Sequence, residues 1–552
     1  MKNLTFLFVF FCVFGFLSNI TFAQKPGWLW AKSAGGTGRD IANSVSADAS
    51  GNFYMAGVFS GPAITFGFYT LTNSGYADGC LVKYAASGNV LWAKKTGGTD
   101  FDFLNCVVSD ASGNSYVTGF FYSPTLVLGS DTLTNTSSGT CDMLIAKYDA
   151  NGNVLWAKNP NGASFDWGVS VAVDASGNSY AAGGFISPSL TFGSTVLVSE
   201  GGEDMFFAKY DVNGNVLWAK SAGGTANDDA ASVIADASGN SYVAGKFYSP
   251  TITFGPFTLI NNNPGLSDAF LVKYDAGGNV LWAKDIGGQS DDASVGVAAD
   301  TSGNLYLTGW FRSQTLNLGS VILTGTGYED MFLAKYTAGG NIVWAKSSGG
   351  ISEVMAGSVA VNGSGCPLVV GFFFNTSLVL GSDTLTNAGR SDTFIAKYDT
   401  GGNVLWANSV GGTGNDEGNS IALDASGNIY IAGWFNSPVL AFGNTRLTGT
   451  GNDTTFTMFL AKSGHGAGID NLRNSLRITF SPNPATGKIT IETSGVQARG
   501  QLSISNLKGQ ELITLQLTQP KTQIDISGLP CGLYFSRLTS DKTVVTGKFL
   551  KQ

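Results

Sequence analysis

Two series of aspartates recur along this 552-residue chain. The first series stands just before a β-rich segment: Asp40, Asp102, Asp166, Asp228, Asp292 and Asp416. The second precedes a later strand of the same repeat: Asp78, Asp142, Asp204, Asp268, Asp330 and Asp392. If the repeats form a ring, six carboxylates would surround the mouth of its central channel. They would attract Ca²⁺, which prefers clustered oxygen ligands. The alternative is that each carboxylate accepts hydrogen bonds from N–H groups of its own loop, as in Asx turns.

Other residue types leave little room for a catalytic site. His465 is the single histidine and follows the last repeat, so no Ser-His-Asp or Cys-His site can form within the repeats. The cysteines are scattered, and they match neither a disulfide framework nor the spacing of a zinc site. A glycosidase-type pair of carboxylates stays open as an alternative, because aspartate is abundant. We assign no catalytic residue.

Residues that break the repeat are better candidates for ligand contact, since a repeated residue is explained by the repeat itself. Five such residues are of types that stack on sugars or anchor protein partners: Trp167, Trp310, Trp434, Arg312 and Arg390. Packing is the alternative for Trp310 and Trp434. They share one strand position with Phe120 and Phe372 of other repeats.

A tryptophan followed by Ala-Lys or Ala-Asn marks the repeat. It occurs seven times: Trp30, Trp92, Trp156, Trp218, Trp282, Trp344 and Trp406. Between these residues a glycine loop, two strands joined by an Asp-Ala-Ser-Gly-Asn-like turn, an extra hairpin and a third strand recur in order. We name the main strands a, b, c and d, where d carries the tryptophan. No segment has a helical apolar period, which predicts an all-β unit.

The two ends of the array predict how it closes. The chain opens on a lone d strand, Trp28 to Lys32, and the array ends on a lone c strand, Met458 to Lys462. We expect the opening strand to complete the last sheet. The predicted fold is therefore a seven-bladed β-propeller closed by an N-terminal strand. An open superhelix is the alternative, and it would leave an unpaired edge at each end.

The hairpin of strands a and b carries a family resemblance. Residues 170–180, with the sequence SVAVDASGNSY, resemble the bacterial β-propeller repeat family SBBP and are similar to NHL-type blades. The resemblance covers about residues 27–462, and the chain departs from it by the hairpin inserted between b and c. In a propeller the d-to-a and b-to-c connections share one face. We expect function on that face, because loops carry function.

The N-terminus predicts export. Lys2, the apolar run from Leu4 to Phe16 and the small residues before Gln24 indicate a signal peptide over residues 1–23. An uncleaved membrane anchor is the alternative. No later stretch is long and apolar enough to span a bilayer. The net charge of -8 and the pI near 4.8 argue against a nucleic-acid partner.

After a Gly-rich linker over residues 464–474, residues 475–552 show a new alternating pattern that predicts a small Ig-like β-sandwich. Its ordered motifs resemble the type A C-terminal domain of type IX secretion. The residues that carry the likeness are Pro482, Asn483, Pro484, Gly532, Tyr534, Lys548 and Lys551. The resemblance implies a translocon and a sortase as partners, and a location outside the cell or on the outer-membrane surface of a Gram-negative bacterium. An Ig-like adhesive module is the alternative.

Residues 24–463 are thus expected to be a secreted or cell-surface propeller that binds a glycan or a protein without catalysis. A polysaccharide hydrolase or lyase that uses propeller carboxylates is the rival hypothesis. A ring stabilised by calcium is the third, and calcium is the one cofactor that the sequence suggests.

Overall fold

The computed structural model describes residues 25–326, 328–348, 353–464, 477–494, 500–507, 509–519, 521–540 and 543–552. The predicted signal peptide, His465 and residues 465–474 of the predicted linker lie outside the described residues. Within the described ranges the regular structure is β-strand throughout. No helix in those ranges is long and apolar enough to cross a membrane.

Between residues 28 and 463 the described chain forms seven four-stranded antiparallel sheets, which we number by their a strands. The a strands are Asp40–Ala47, Asp102–Ser109, Asp166–Val173, Asp228–Ala235, Asp292–Ala299, Val354–Val361 and Asp416–Leu423. The b strands are Phe53–Phe59, Ser115–Phe121, Ser179–Phe185, Ser241–Phe247, Leu305–Phe311, Pro367–Phe373 and Ile429–Phe435. The c strands are Asp78–Tyr84, Asp142–Tyr148, Asp204–Tyr210, Asp268–Tyr274, Asp330–Tyr336, Asp392–Tyr398 and Thr457–Ser463. The d strands are Val90–Thr96, Val154–Lys158, Val216–Ala222, Val280–Ile286, Ile342–Ser347, Val404–Val410 and, in the seventh sheet, Trp28–Ala34.

The seventh sheet joins the two ends of the array. Trp28–Ala34 pairs antiparallel with Thr457–Ser463, with Ala31 opposite Ala461 and Ala34 opposite Met458. This pairing confirms the prediction made from the displaced tryptophan strand. One core cluster then combines Phe53 of the first sheet with Tyr430 of the seventh.

The core lies between neighbouring sheets. The b and c strands are buried on both faces, as in Phe53–Phe59 and Asp78–Tyr84, whereas the d strands alternate between exposed and buried residues. A sheet with two apolar faces must be covered on both sides. Each core cluster therefore draws on two successive sheets, for example Tyr180 of the third and Phe254 of the fourth.

The repeated residues join one sheet to the next. The Asp174 carboxylate accepts hydrogen bonds within its own turn and from the Tyr180 hydroxyl, at 3.1 Å. The same hydroxyl lies 2.9 Å from the Gly239 carbonyl oxygen of the next sheet. The Trp156 indole donates to the Val212 carbonyl oxygen at 3.1 Å and lies against Gly214, whose φ of 80° favours glycine. The packing of neighbouring sheets therefore explains why these aspartate, tyrosine, tryptophan and glycine residues recur in the repeat.

The inserted hairpins cover the outer edge of the sheets. They are Ala63–Phe66 with Tyr69–Thr72, Thr125–Leu128 with Asp131–Thr134, Ser189–Phe192 with Thr195–Val198, Thr251–Phe254 with Phe257–Ile260, Thr315–Asn317 with Ile322–Thr324, Ser377–Leu380 with Asp383–Thr386, and Val439–Phe442 with Thr445–Thr448. Ile64 and Phe66 point into the core. Asp131 Oδ2 accepts the N–H of Ala157 in strand d at 2.7 Å. The hairpins thus protect exposed edge strands.

The C-terminal region forms two further antiparallel sheets. One contains Arg477–Ser481, Lys488–Ser494 and Lys521–Asp525, and the other contains Glu511–Leu517, Gly500–Ser505, Gly532–Ser540 and Thr543–Lys551. Ile489 and Ile491 of the first sheet share one buried cluster with Leu502 and Phe549 of the second. The two sheets therefore enclose a core of their own.

Candidate functional site

The d-to-a and b-to-c connections lie at the same ends of the strands, because successive strands are antiparallel. We call the surface that they form the loop face. There the first residue of strand a donates its backbone N–H to the residue before strand c of the preceding sheet, as in Asp102 to the Ala77 carbonyl oxygen at 2.8 Å. Asp40 makes the equivalent bond to Phe456, at 3.2 Å, across the seam between the first and seventh sheets.

The first aspartate series begins the a strands and is buried. The six residues, Asp40, Asp102, Asp166, Asp228, Asp292 and Asp416, are at most 1% exposed. Asp102 Oδ2 accepts the Ser123 hydroxyl at 2.7 Å and the Gly98 N–H at 2.6 Å, which ties strand b to the glycine loop. Asp166 accepts the Ser187 hydroxyl at 2.8 Å. Each carboxylate is therefore bonded inside its own sheet.

The second aspartate series begins the c strands and packs against the glycine loop. A Cβ at Gly97 would collide with the Asp78 carboxylate, which explains the glycine there. Asp78 Oδ2 accepts the Ser74 N–H at 2.8 Å. The two series lie close together between neighbouring sheets. Burial, and after it the Asp142 charge, raise the pKa of Asp166 to about 7 although Ser187 opposes the shift.

The six carboxylates that the sequence predicts as calcium ligands have hydrogen-bond donors within the protein. Serine, glycine or other backbone donors already reach the six carboxylates of the first series. In the part of the chain that the structure describes, no group of three or more His, Cys, Asp or Glu side chains is arranged to hold a metal ion. Calcium binding by this series stays a prediction, and the bonds favour the structural alternative.

The five tryptophan and arginine candidates belong to four different sheets, and Trp310 and Arg312 are the pair that shares one. Trp310 pairs across strands with Ala293, and the Arg312 guanidinium lies 5.8 Å from its ring centroid. Arg312 also forms an ion pair with Glu329. Trp434 stacks on Phe456 with centroids 4.1 Å apart. Each of these three side chains thus makes contacts within the protein.

Trp167 and Arg390, the two remaining candidates, are equally separate. Trp167 stands in strand a of the third sheet, opposite Gly184. The Arg390 guanidinium pairs with the Asp453 carboxylate at 2.9 Å, and both side chains are more than half exposed. The structure does not bring the five candidates into one site.

The loop face instead gathers an aromatic patch from the first three sheets. We give this name to six residues: Tyr76, Phe101, Phe103, Phe120, Tyr122 and Phe165. Tyr76 and Phe101 are stacked with centroids 5.1 Å apart and are 66% and 42% exposed. Phe103 stacks on Phe120 at 4.9 Å. The patch presents ring surface to solvent at the junction of the first and second sheets.

The patch has no counterpart in most other repeats. At the position of Phe101 the chain has Arg39, Phe165, Asn227, Asp291, Glu353 and Asn415. Sequence reasoning missed the patch, because phenylalanine is common here (37 residues) and aromatic residues are frequent in strands. An alignment of the residues that flank the first aspartate series would have been the available signal.

A charged cluster adjoins Trp167. Burial, followed by the hydrogen bond and charge of Asp229, raises the pKa of the Glu203 carboxyl. Asp229 in turn lies 3.7 Å from Lys246 Nζ. Glu203 is 8% exposed and packs against Gly184, where a side chain would displace it. A substrate could not reach this carboxyl without rearrangement of the protein.

The predicted sorting residues lie in the C-terminal sheets. Asn483 Oδ1 accepts the Leu550 N–H at 2.9 Å, and the Tyr534 hydroxyl donates to the Pro530 carbonyl oxygen at 2.7 Å. Tyr534 also stacks on Phe549. Pro482 and Pro484 flank Asn483. Gly532 and Lys551 pair across the two final strands, in which Lys548 is exposed.

Two family models match the chain. The secretion system C-terminal sorting domain matches residues 479–552, and the β-propeller repeat called SBBP matches residues 406–438. The chain therefore carries a type IX sorting domain after a β-propeller repeat region, as predicted. It is a type IX secreted, cell-surface protein.

Relatives outside these models are distant. An uncharacterised WD repeat-containing protein of Acanthamoeba polyphaga mimivirus is 25% identical over 79% of this chain and 38% of its own length. The Pan2 WD40 domain of Neurospora crassa has a TM-score of 0.37 at 8% identity, over 77% of this chain and 89% of that domain. PorZ of Porphyromonas gingivalis, a surface component of the type IX secretion system, has a TM-score of 0.26 at 11% identity. The match covers 93% of this chain and 81% of the PorZ chain. The chain spans less than two fifths of the viral relative.

Proposed function

We propose that this cell-surface protein is a non-catalytic binding module that recognises a glycan through the aromatic patch on its loop face. In this proposal residues 24–463 form a closed seven-bladed propeller, and residues 475–552 form an Ig-like sorting domain joined by the 464–474 linker. Seven four-stranded sheets, and the strand that pairs the two ends of the array, support the closed ring.

The exposed rings of Tyr76 and Phe101 carry the proposal. Aromatic faces are electron-rich and attract the polarised C–H groups of a sugar ring, while the sugar hydroxyls keep polar partners. Such partners border the patch: the Asp100 carboxylate lies beside Phe101, whose N–H it accepts at 2.9 Å. Sites of this kind combine apolar contact with a few placed polar groups.

A glycan fits the patch better than a protein does. Two ring faces with adjacent carboxylate and hydroxyl groups are enough to hold one or two sugar units. A stable protein interface buries roughly 800 Å² on each partner and rests on a fully buried centre. A protein ligand is therefore the alternative outcome of the binding test.

Replacement of Tyr76 and Phe101 by alanine is expected to weaken glycan binding up to about tenfold for each residue, because each loses a stacking surface worth up to about 1.5 kcal/mol. Glycan-array screening of the wild-type protein would identify the ligand, and titration of the variants would measure the loss. Turnover of the same glycans would be measured in parallel.

Phe68→Ala is the matched control. Phe68 is fully exposed in the hairpin of the first sheet, outside the patch, and its loss should leave affinity unchanged. Equal affinity in the patch variants, or binding to a protein but to no glycan, would refute the glycan proposal. Glycan turnover that a carboxylate variant abolishes would favour the hydrolase or lyase instead.

The sorting domain gives a second expectation. Deletion of residues 475–552 should leave the chain in the periplasm, because recognition by the outer-membrane translocon would be lost. Cell fractionation with an antibody to the propeller measures this. Deletion of the hairpin residues 63–72 is the control, because it changes the propeller and keeps the sorting domain. Surface location of the chain that lacks residues 475–552 would contradict the export proposal.

A further inference from the structure

We propose that the fourth sheet binds a hard divalent cation, best fitted by Ca²⁺, between Asp268 and Asp285. Asp268 begins strand c and Asp285 lies near the end of strand d of that sheet. Both line a cavity of about 290 Å³ together with Asn262, Gln289 and Asn317. No lysine or arginine lines this cavity.

Other sheets show what normally stands opposite the strand-c aspartate. In the first sheet Lys95 occupies the position of Asp285, and its ammonium lies 3.1 Å from Asp78 Oδ2. In the second sheet the Asn159 amide donates to Asp142 at 3.4 Å. The remaining sheets have a serine at this position: Ser33, Ser221, Ser347 and Ser409. The protein thus places a cation of its own at the equivalent point of the first sheet.

The fourth sheet reverses the charge at that point. Compared with the first sheet, aspartate replaces lysine opposite the strand-c carboxylate, which is a difference of two charge units. The ammonium of Lys95 also bonds the Ser74 hydroxyl, and Asn262 follows Asn261 as Ser74 follows Asn73. Asn262, which lines the cavity, thus stands at the position of Ser74 and carries an amide oxygen in place of the hydroxyl.

Asp268 also lacks the donors that serve the other aspartates of its series. It is 4% exposed, and no side chain among the described residues donates to it; the backbone N–H of Gly288 is its protein donor. In the third sheet the N–H of Glu200, four residues before Asp204, donates to that carboxylate. Four residues before Asp268 stands Pro264, which has no N–H.

Two carboxylates that face one cavity repel each other unless a proton or a cation lies between them. Ca²⁺ takes six to eight oxygen ligands from carboxylates, amides and water, in flexible geometry. Mg²⁺ needs a stricter octahedron. Two carboxylates and neutral amides suit the Kd of about 10⁻⁴–10⁻³ M seen in extracellular calcium modules.

This site differs from the calcium ring predicted from the sequence. That ring used the first aspartate series, whose members accept bonds from their own sheets. The present site uses Asp285, which repeats in no other sheet, and the cavity beside it. It is also independent of the aromatic patch, so either proposal can fail alone.

The test uses the chain from Gln24 to Gln552, freed of metal with a chelator. We expect 10 mM Ca²⁺ to raise its Tm by roughly 2 °C or more, and Mg²⁺ to raise it less. Asp285→Ser installs the residue of four sister sheets and should abolish this shift. Asp285→Lys installs the lysine of the first sheet. It should melt in chelator at or above the wild-type temperature and should not respond to Ca²⁺.

Asp453→Ser is the matched control, because Asp453 is an exposed aspartate that pairs with Arg390 outside the cavity. This variant should keep the full Ca²⁺ shift, and calorimetric titration should give one site per chain in it and none in Asp285→Ser. The proposal is wrong if the wild-type chain shows no Ca²⁺ shift, or if Asp285→Ser retains the shift that Asp453→Ser shows.

Discussion

Deletion of residues 24–34 is expected to lower the Tm of the repeat region by roughly 10 °C or more, because it removes the d strand of the seventh sheet. Trp28–Ala34 pairs with Thr457–Ser463, and Ala31 and Trp30 contribute to the clusters on the two sides of that sheet. The deletion removes two half-buried tryptophans, Trp28 and Trp30, together with the buried Ala31 and Ala34, and the loss of a fully buried tryptophan side chain costs about 3–5 kcal/mol. Calorimetry of the chain from Gln24 onward, with and without the strand, measures the change.

The deletion also leaves Thr457–Ser463 with an unpaired edge, and unpaired edges promote association. Size-exclusion chromatography should therefore show oligomers of the shortened chain. Deletion of residues 475–552 is the matched control, since it removes more residues and leaves every sheet of the repeat region intact. If both deletions lower the Tm equally, or if neither does, then the N-terminal strand does not hold the array closed.

The stability of the repeat region is expected to fall as the pH rises from about 4 to 8. Burial raises the pKa of Asp228 and Asp416 to about 6 and that of Asp292 to about 7. Within this window the folded chain holds protons that the unfolded chain has lost. Each increase in pH therefore lowers the free energy of unfolding. We expect the Tm at pH 5 to exceed that at pH 8 by on the order of 5 °C.

A second group of aspartates acts in the opposite direction at lower pH. Hydrogen bonds from their own turns, although burial opposes them, hold the pKa of Asp174, Asp300 and Asp424 below the ordinary value. Their stabilisation is present above pH 4 and is lost as the pH falls through their folded pKa. The two groups together place the maximum of stability near pH 4–5.

Asp166→Asn tests the assignment of the falling limb. Burial raises the pKa of Asp166 to about 7, and asparagine keeps an acceptor for the Ser187 hydroxyl but cannot ionise. The variant should lose less stability than the wild type between pH 5 and pH 8. Asp211→Asn is the control, because Asp211 lies in an exposed turn with a lowered pKa. Parallel pH profiles for all three proteins would show that the buried series does not cause the slope.

The placement of the strands was predictable because it depends on local residue patterns and on the number of each strand type in the repeats. Turn residues and alternating apolar residues defined the a, b, c and d strands, and the displaced d strand predicted the pairing of Trp28–Ala34 with Thr457–Ser463. The inserted hairpins were predicted as strands but not as covers of the outer edge. Their contact with strand d, such as Asp131 with Ala157, depends on how the chain folds back.

The candidate site was less predictable than the strands. Trp167, Trp310 and Trp434 stood out as rare residues, yet they lie in the third, fifth and seventh sheets. Tyr76 and Phe101 stood out in no pattern, and they form the exposed stack of the aromatic patch. Tyr76 lies in the b-to-c connection of the first sheet, and Phe101 directly precedes strand a of the second. Their rings therefore meet only when the two sheets pack together.

The aspartates illustrate the same division. The sequence by itself determined that carboxylates recur at two positions of a repeated all-β unit, because a recurring residue is visible without knowledge of its neighbours. Only the tertiary structure decided that Asp102 is bonded by Ser123 and that Asp268 and Asp285 line one cavity. The physical reason is that burial, bonding and repulsion of a carboxylate depend on groups that other strands bring to it.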